Sequence, residues 1–366
     1  MTHDDAFLQA IIENPEDDGP RLVYADWLED HGESDRADFI RLQCELARLP
    51  GGDPRRKGLE ARERALLKGH ELEWLGPLRG RADKWQFRRG FVESVKLGAE
   101  EFVDHAEAIL AAAPVRHAEF RQGWYDSATV LARLGTCPHL TRLKSIRLSF
   151  GVCEVSDPGL RALASSPPLL NRLDRLFAME CNVTEAGLGP VLLSPHLGRL
   201  RGLHLSECRL HGAAGVLPLA DSPQLGRLTA LSLDENRLGD EGVQLLAASR
   251  NCSRLEFLSL EECGVGDGGA EALGRSPHLG RLVELHLRDN RVGNRGASAL
   301  AKSPHLAGLE YLHLHENRIG DAGAGALAAS PNLGRVQNLT LWGNRISQAG
   351  EEPLKVRFGG RVHVRR

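Results

Sequence analysis

Apolar residues follow three rhythms along this chain. Over 1–50 they recur at helical spacing. Phe7, Leu8, Ile11 and Ile12 make one face, Leu22, Val23, Trp27 and Leu28 a second, and Phe39, Ile40, Leu42, Cys44 and Leu46 a third, with breaks at Pro15, Pro20 and Gly32. This predicts a bundle of three helices. A charged helix is expected over 53–75, carrying Arg55, Arg56, Lys57, Arg62, Glu63 and Arg64 and ending near Trp74-Leu75-Gly76-Pro77. From Phe91 the spacing changes to that of a strand in Val92, Val95 and Leu97, and again in Val115, Ala118 and Phe120. These two degenerate units are expected to cap the N-terminal end of the regular repeats that begin at Leu143.

From Leu143 one pattern takes over: Leu-x-x-Leu-x-Leu-x-x-Asn/Cys-x-Leu, then Gly four residues on. Its starts are Leu143, Leu173, Leu200, Leu228, Leu255, Leu282, Leu309 and Val336. Leu282, Leu285, Leu287, Asn290, Val292 and Gly296 show the pattern, as do Leu309, Leu312, Leu314, Asn317, Ile319 and Gly323. Between the second and third leucines the chain alternates apolar and polar, which suits a strand with one buried face. Gly239-Asp240, Gly266-Asp267, Gly293-Asn294 and Gly320-Asp321 then supply a turn and expected helix N-caps. Helical runs such as 243–248 stop near Ser-Pro, at Ser194-Pro195, Ser222-Pro223, Ser276-Pro277, Ser303-Pro304 and Ser330-Pro331, because proline disfavours helix in the residue before it. One strand and one helix cannot bury their apolar sides alone. Stacked copies share a continuous core, so the pattern predicts a solenoid.

This pattern resembles the leucine-rich repeat, in its ribonuclease-inhibitor-like subtype, whose long repeats each join a short strand to an α-helix. The resemblance implies an α/β fold: a leucine-rich-repeat solenoid, a horseshoe with parallel strands on the concave face and helices on the convex face, beside a small all-α N-terminal module. The N-terminal wording carries a second resemblance. Phe7-Leu8-x-Ala10-Ile11, the run Asp18-x-Pro20-Arg21-Leu22-Val23-Tyr24-Ala25-Asp26-Trp27-Leu28-Glu29-Asp30, and Arg36-Ala37-x-Phe39-Ile40-Arg41-Leu42-Gln43 look like the repeat-companion domain, a short module of planctomycete bacterial proteins. The expected divisions are 1–50 for this helical module, 51–90 for a charged helical connector, 91–142 for the degenerate capping repeats, 143–358 for eight repeats, and 359–366 for a closing strand near Arg361-Val362-His363-Val364.

Charge and composition narrow the function classes. In 366 residues, 46 Lys+Arg stand against 49 Asp+Glu, a formal net charge of -3 that gives no general nucleic-acid or membrane signal. The acidic start Met1-Thr2-His3-Asp4-Asp5 lacks the apolar region of a signal peptide. No run approaches the ~18 apolar residues of a membrane span. Seven cysteines without a Cys-x-x-Cys pair read as free thiols, and a cytoplasmic location is expected. Cys153, Cys181, Cys208 and Cys263 fall where other repeats place Asn236, Asn290, Asn317 and Asn344, a position expected to turn inward and bond loop backbone. Cys137 and Cys252 replace repeat Ser and Leu, and Cys44 lies on a helix.

The chemistry that remains is on the strand face. Gly264-Val265-Gly266-Asp267-Gly268-Gly269 fits a dinucleotide motif, but Gly266 and Gly269 are repeat positions, so no nucleotide site is read there. Neither a Walker loop, nor a His-Glu-x-x-His, nor a Gly-x-Ser-x-Gly elbow is present. No catalysis, cofactor or metal is expected. His313 and His315 flank Leu314 and share a face, with His286 one strand away and Glu316 nearby. A divalent-metal site there competes with exposed histidines on a polar face, and the latter is the expectation. In-register stacking places Asp234, Glu235, Glu256, Glu261, Glu262, Glu284, Asp289, Glu310 and Glu316 on one face, opposed by Arg288. Earlier repeats tilt basic, through Lys144, Arg147, Arg175 and Arg201. Phe150, Phe177, Phe257, Tyr311 and Trp342 add aromatic anchors of the kind found in hot spots. The candidate partner-binding set is these nine acids with His286, Tyr311, His313 and Trp342. An arginine row at 209, 237, 291, 318 and 345 offers the alternative that the acidic row is neutralised internally. The expected function is a non-catalytic protein–protein interaction module whose protein partner carries a basic patch, with no nucleic acid and no membrane. The alternative is a regulator of an enzyme, like a GTPase-activating protein or like ribonuclease inhibitor. Oligomeric state is left open.

Overall fold

The computed structural model describes residues 3–121, 127–149, 157–171, 173–181 and 183–365. The chain forms two compact units, 1–123 with 137–147, and 124–136 with 148–366.

In the first unit the three expected helices are α1 (His3–Glu13), α2 (Gly19–Asp30) and α3 (Ser34–Arg48). Their apolar faces meet in a cluster of Ile11, Tyr24, Ala25, Leu28, Ala37, Ile40 and Cys44, closed by Phe91 from beyond the helices. The module over 1–50 therefore completes its core with a later strand. Val23 departs from its expected face: it is 55% exposed, and the inward positions of α2 are Arg21, Tyr24, Ala25 and Leu28. Arg21 is fully buried. Its Nη2 lies 3.3 Å from Glu93 Oε1, and its Nη1 donates to the Asp17 carbonyl at 2.9 Å. Burial lowers the Arg21 pKa and raises that of Glu93, so each charge depends on the other.

The charged helix α4 runs Arg56–Trp74. The expected connector over 51–90 does not stay helical, however. Ala82–Arg88 is strand β1, paired antiparallel to β2 (Phe91–Gly98), with Arg88 opposite Phe91. The two turn residues, Arg89 and Gly90, have φ of 51° and 88°, the twist a two-residue hairpin requires. A Cβ at Gly90 would stand 2.5 Å from Ile40 Cγ1, so helix and hairpin meet where there is no side chain. Helix α5 (Ala99–Ala112) leads to β3 (His117–Arg121), parallel to β2. This four-stranded sheet has the order β1-β2-β3-β4, where β4 is Ser145–Ser149. The repeat starting at Leu143 thus gives its strand to the first sheet.

The second unit carries the remaining repeats. Its eight-stranded sheet runs in strict sequence order: β5 (Arg175–Phe177), β6 (Gly202–His204), β7 (Ala230–Ser232), β8 (Phe257–Ser259), β9 (Glu284–His286), β10 (Tyr311–His313), β11 (Asn338–Thr340) and the closing β12 (Val362–His363). Neighbours are parallel and in register, so Leu176, Leu203, Leu231, Leu258, Leu285, Leu312 and Leu339 form one row. All seven are fully buried. Each is expected to contribute about 2–5 kcal/mol on the Leu→Ala scale. Between strands lie the crossover helices: Glu185–Leu192, Gly212–Asp221, Gly239–Ala248, Asp267–Arg275, Asn294–Lys302, Asp321–Ala328 and, last, Gln348–Phe358.

Polar groups inside the stack are satisfied by the neighbouring repeat. Asn236 Nδ2 donates to Leu205 O at 2.6 Å and Leu233 O at 2.8 Å, while its Oδ1 accepts from Leu210 N at 3.2 Å. Asn290 and Asn317 repeat this, donating to Leu260 O and Leu287 O at 2.8 and 2.7 Å and accepting from Val265 N and Val292 N. Cys263 makes one bond of this set, to Leu233 O at 3.0 Å. Cys153 and Phe150 lie outside the described residues. Cys44, Cys137, Cys181, Cys208, Cys252 and Cys263 are buried and not disulfide-bonded, and burial pushes the Cys44, Cys252 and Cys263 thiols up to about 12, which makes them poor nucleophiles.

Helix capping differs from the expected pattern. The N-cap glycines Gly266, Gly293 and Gly320 make no side-chain cap, and the residue after each, Asp267, Asn294 or Asp321, sits inside its own helix. It serves the next repeat. Asp240 Oδ1 accepts from Gly266 N at 2.6 Å and Gly269 N at 2.9 Å, and Asp267 Oδ1 accepts from Gly293 N and Gly296 N, both at 2.7 Å. A Cβ at Gly296 would stand 2.8 Å from that same Asp267 oxygen. The glycine row inside the helices is therefore the space the neighbouring carboxylate needs, which also explains the dinucleotide-like match at 264–269. At the other helix end, Ser222, Ser249, Ser276 and Ser330 donate back to Leu192, Ala220, Ala247 and Ala301 carbonyls.

Candidate functional site

On the strand face each repeat contributes the same positions to parallel rows. The row at the strand ends reads Phe177, His204, Ser232, Ser259, His286, His313 and Thr340. Phe177 stacks on His204 at 4.2 Å between ring centroids. His286 and His313 lie 4.3 Å apart, as expected from strand spacing. Asp234, Glu261, Arg288, His315 and Trp342 are one position of the strand pattern further on. Asp234 accepts from Ser232 Oγ at 2.9 Å, Ser259 Oγ at 2.5 Å and Glu261 N at 2.8 Å, so it is tied into the sheet. His315 and Trp342 rings stack at 4.2 Å.

Past that row the backbone turns. Glu180, Glu207, Glu235, Glu262, Asp289 and Glu316 all have φ between 50° and 58°. This left-handed conformation costs roughly 1–2 kcal/mol for a residue with a side chain, and Gly343 takes it in the seventh copy. The turn has a structural reason. Each left-handed residue donates its amide to the next repeat, as Glu235 N does to Glu261 O at 2.8 Å and Glu262 N to Arg288 O at 3.0 Å. The residue after it, Asn or Cys, then points inward. The acids themselves point outward. Glu180, Glu207, Glu235, Glu262 and Asp289 are exposed, stacked about 4.8 Å apart by the strand spacing.

Two stretches of this face differ in charge balance. Glu235 shares a hydrogen bond with Glu207. That bond, burial, and the charges of Glu207, Glu262 and Asp234 push its carboxyl up to about 7. One repeat on, Arg288 reaches Glu261 Oε2 at 3.4 Å and Glu262 Oε1 at 3.0 Å. His286 bonds Glu261 Oε1 through Nδ1 at 3.0 Å and Glu284 Oε1 through Nε2 at 2.6 Å. Burial opposes the charge on His286, but the two carboxylates outweigh it and hold its pKa above the ordinary value, while His286 holds Glu261 below its own. His313 is different. Burial, then the charges of His286 and His315, bring it down to about 4.

The alternative, internal neutralisation of the acids by the arginine row, is not made by direct ion pairs. Among the described residues no ion pair joins Arg209, Arg237, Arg291, Arg318 or Arg345 to a carboxylate. Arg237, Arg291 and Arg318 instead border an open groove of about 540 Å³ with Glu262 and Asp289 on its wall. The other candidates fall as follows. Glu256 and Glu310 precede their strands, where Glu310 Oε2 accepts from Gln337 Nε2 at 3.0 Å, and they stand apart from the left-handed row. Phe257 packs on His286 at 5.2 Å, and Tyr311 lies half-buried in the row of Glu284. Glu316 carries its carboxyl against Gly343, where a Cβ would stand 2.5 Å away.

Comparison with known proteins bears on the repeats. Residues 228–247, 251–274, 282–301 and 308–328 match the family model described as Leucine Rich repeat. These segments are leucine-rich repeats. Among similar solved structures is an internalin from Listeria monocytogenes, 21% identical with a TM-score of 0.44, aligned over 66% of this chain and 64% of its own. The chain therefore spans less than two thirds of that internalin. A Bacteroides fragilis protein aligns at 16% identity and a TM-score of 0.46, over 70% of this chain and 76% of its own. The yeast Rad7 and Elc1 complex structure gives 15% and 0.46, over 97% of this chain and 84% of that one. No curated protein matches significantly.

Within the leucine-rich repeats, the sequence reading missed Glu180 and Glu207 as members of the acidic row. The signal was available: an acid immediately before the Asn or Cys in every repeat from Leu173 to Leu309. It was obscured by the basic residues Arg175 and Arg201, which lie at and before the strand starts, away from the left-handed turn.

Proposed function

We propose that the chain is a non-catalytic protein-interaction module, and that its leucine-rich repeats hold a protein partner bearing a basic patch. The observation that carries this reading is the left-handed acidic row. Six consecutive repeats keep an acid where glycine would be free of strain, and at Glu207–Glu235 the charges crowd until one carboxyl holds its proton near neutral pH. A cationic partner relieves that repulsion; a phosphate backbone adds to it. The half-buried rings of Phe257, Tyr311 and Trp342 supply apolar contact beside the charge. The 27-residue strand-and-helix unit supports the ribonuclease-inhibitor-like subtype, and helices α1–α3 support the repeat-companion reading of 1–50.

The test is capture from lysate by the full chain and by a variant with Glu207→Lys, Glu235→Lys and Asp289→Lys. A basic protein held by the wild type and lost by the variant supports the reading. A partner held equally by both removes the acidic row as its docking surface.

A further inference from the structure

The cluster on β9 and β10 has a second arrangement built into it. Ligand atoms of Glu284, His286 and His313 all lie within 4.8 Å of one another. Atoms bound to one zinc ion at roughly 2.0–2.1 Å can be no more than about 4.2 Å apart, so small rotations of these half-buried side chains close the set. The surroundings orient the imidazoles as zinc ligands. Glu261 Oε1 sits 3.0 Å from His286 Nδ1, which leaves Nε2 facing Glu284 in a carboxylate–histidine–metal order. Thr340 Oγ1 sits 3.0 Å from His313 Nδ1, which leaves His313 Nε2 available. Two imidazoles and one carboxylate form a donor set suited to zinc with one position left open.

We propose that Glu284, His286 and His313 form a zinc site on the strand face, with Glu261 as its orienting carboxylate and a fourth position open to water. This inference is independent of the protein-binding reading. Zinc takes the place of the proton now held between His286 Nε2 and Glu284, and that proton leaves to solvent. His315 stays outside the set, because the ligand atoms within 4.8 Å of one another are those of Glu284, His286 and His313 and the His315 ring packs on Trp342.

The experiment titrates the full chain with zinc chloride by calorimetry, and separately with cobalt chloride followed by visible absorption. The expected result is one equivalent of zinc at micromolar affinity or tighter, and a tetrahedral cobalt spectrum. His286→Ala and His313→Ala each abolish both signals. Glu261→Gln weakens affinity on the order of 10–100-fold while keeping one equivalent. His204→Ala, in the same row three strands away, leaves both unchanged. Circular dichroism on each variant confirms folding. Binding weaker than millimolar, or zinc retained undiminished by folded His286→Ala and His313→Ala, overturns the site.

Discussion

Two neighbouring stretches of one sheet face handle the same repeated acid in opposite ways. At Glu207 and Glu235 carboxylate faces carboxylate, and a proton near neutral pH is the local remedy. At Glu261 and Glu262 the next repeat supplies Arg288 and His286, and Glu261 is held below its ordinary range. The backbone is alike in both, with Glu235 and Glu262 at φ 58° and 54°. The difference therefore lies in which side chain stands one strand further on: Glu261 after Asp234, but Arg288 after Glu261. In a stacked repeat, each side chain takes its environment from the next copy.

The largest expected effect is on binding. Neutralising Glu207 and Glu235 to Gln slows association with a basic partner roughly tenfold at low salt, while Glu261→Gln with Glu262→Gln changes it less than about threefold, because Arg288 and His286 already offset those charges. Stopped-flow rates across a salt series measure this, and equal losses from the two pairs would break the comparison. Next comes stability. Arg288→Ala leaves Glu262 without its cation and Glu261 with His286 alone, and lowers unfolding free energy by about 1 kcal/mol in urea titrations; adding Glu262→Gln recovers part of it. No recovery in the double variant would mean that packing of Arg288, rather than charge, is what matters.

The pH slopes of Glu235 and Glu261 have opposite sign, while His286 shares the sign of Glu235. Glu235 has its folded pKa raised to about 7 from 4.5, so the folded state binds more protons between those values and stability falls as pH rises through that window. Glu261 is lowered by its bond to His286, so its contribution is present above 4.5 and is lost as pH falls below that. His286 is raised above 6.5, and its contribution is lost as pH rises through its folded value.

Legibility followed the range of the interaction. The repeats, their register and the buried leucine row were readable because each is a period of the sequence itself. The inward turn of Asn236, Asn290 and Asn317 was readable for the same reason. The hairpin at 82–98 was not, because Arg89-Gly90 lacks the Asn-Gly or Asp-Gly signature that marks such turns and its strand adjoins a charged helix. Sequence order assigns the capping by Asp240 and Asp267 to the wrong helix, since it shows a residue beside its own helix and not beside the next. Sequence order places Arg237 two residues from Glu235 across the left-handed turn, yet among the described residues no ion pair joins them, and Arg237 borders the groove walled by Glu262 and Asp289. Side-chain direction after such a turn is set by a φ sign that acids seldom reveal.

The most direct test of the open acidic stretch needs no partner. Unfolding midpoints in urea, for the wild type and Glu235→Gln at pH 5 and pH 8, isolate the crowded carboxyl. The account predicts that the variant gains on the wild type by about 1 kcal/mol between those pH values, once solvent screening of this exposed group is allowed for. A difference that is the same at both pH values would contradict it, and would mean that Glu207 and Glu235 carry their charges without cost.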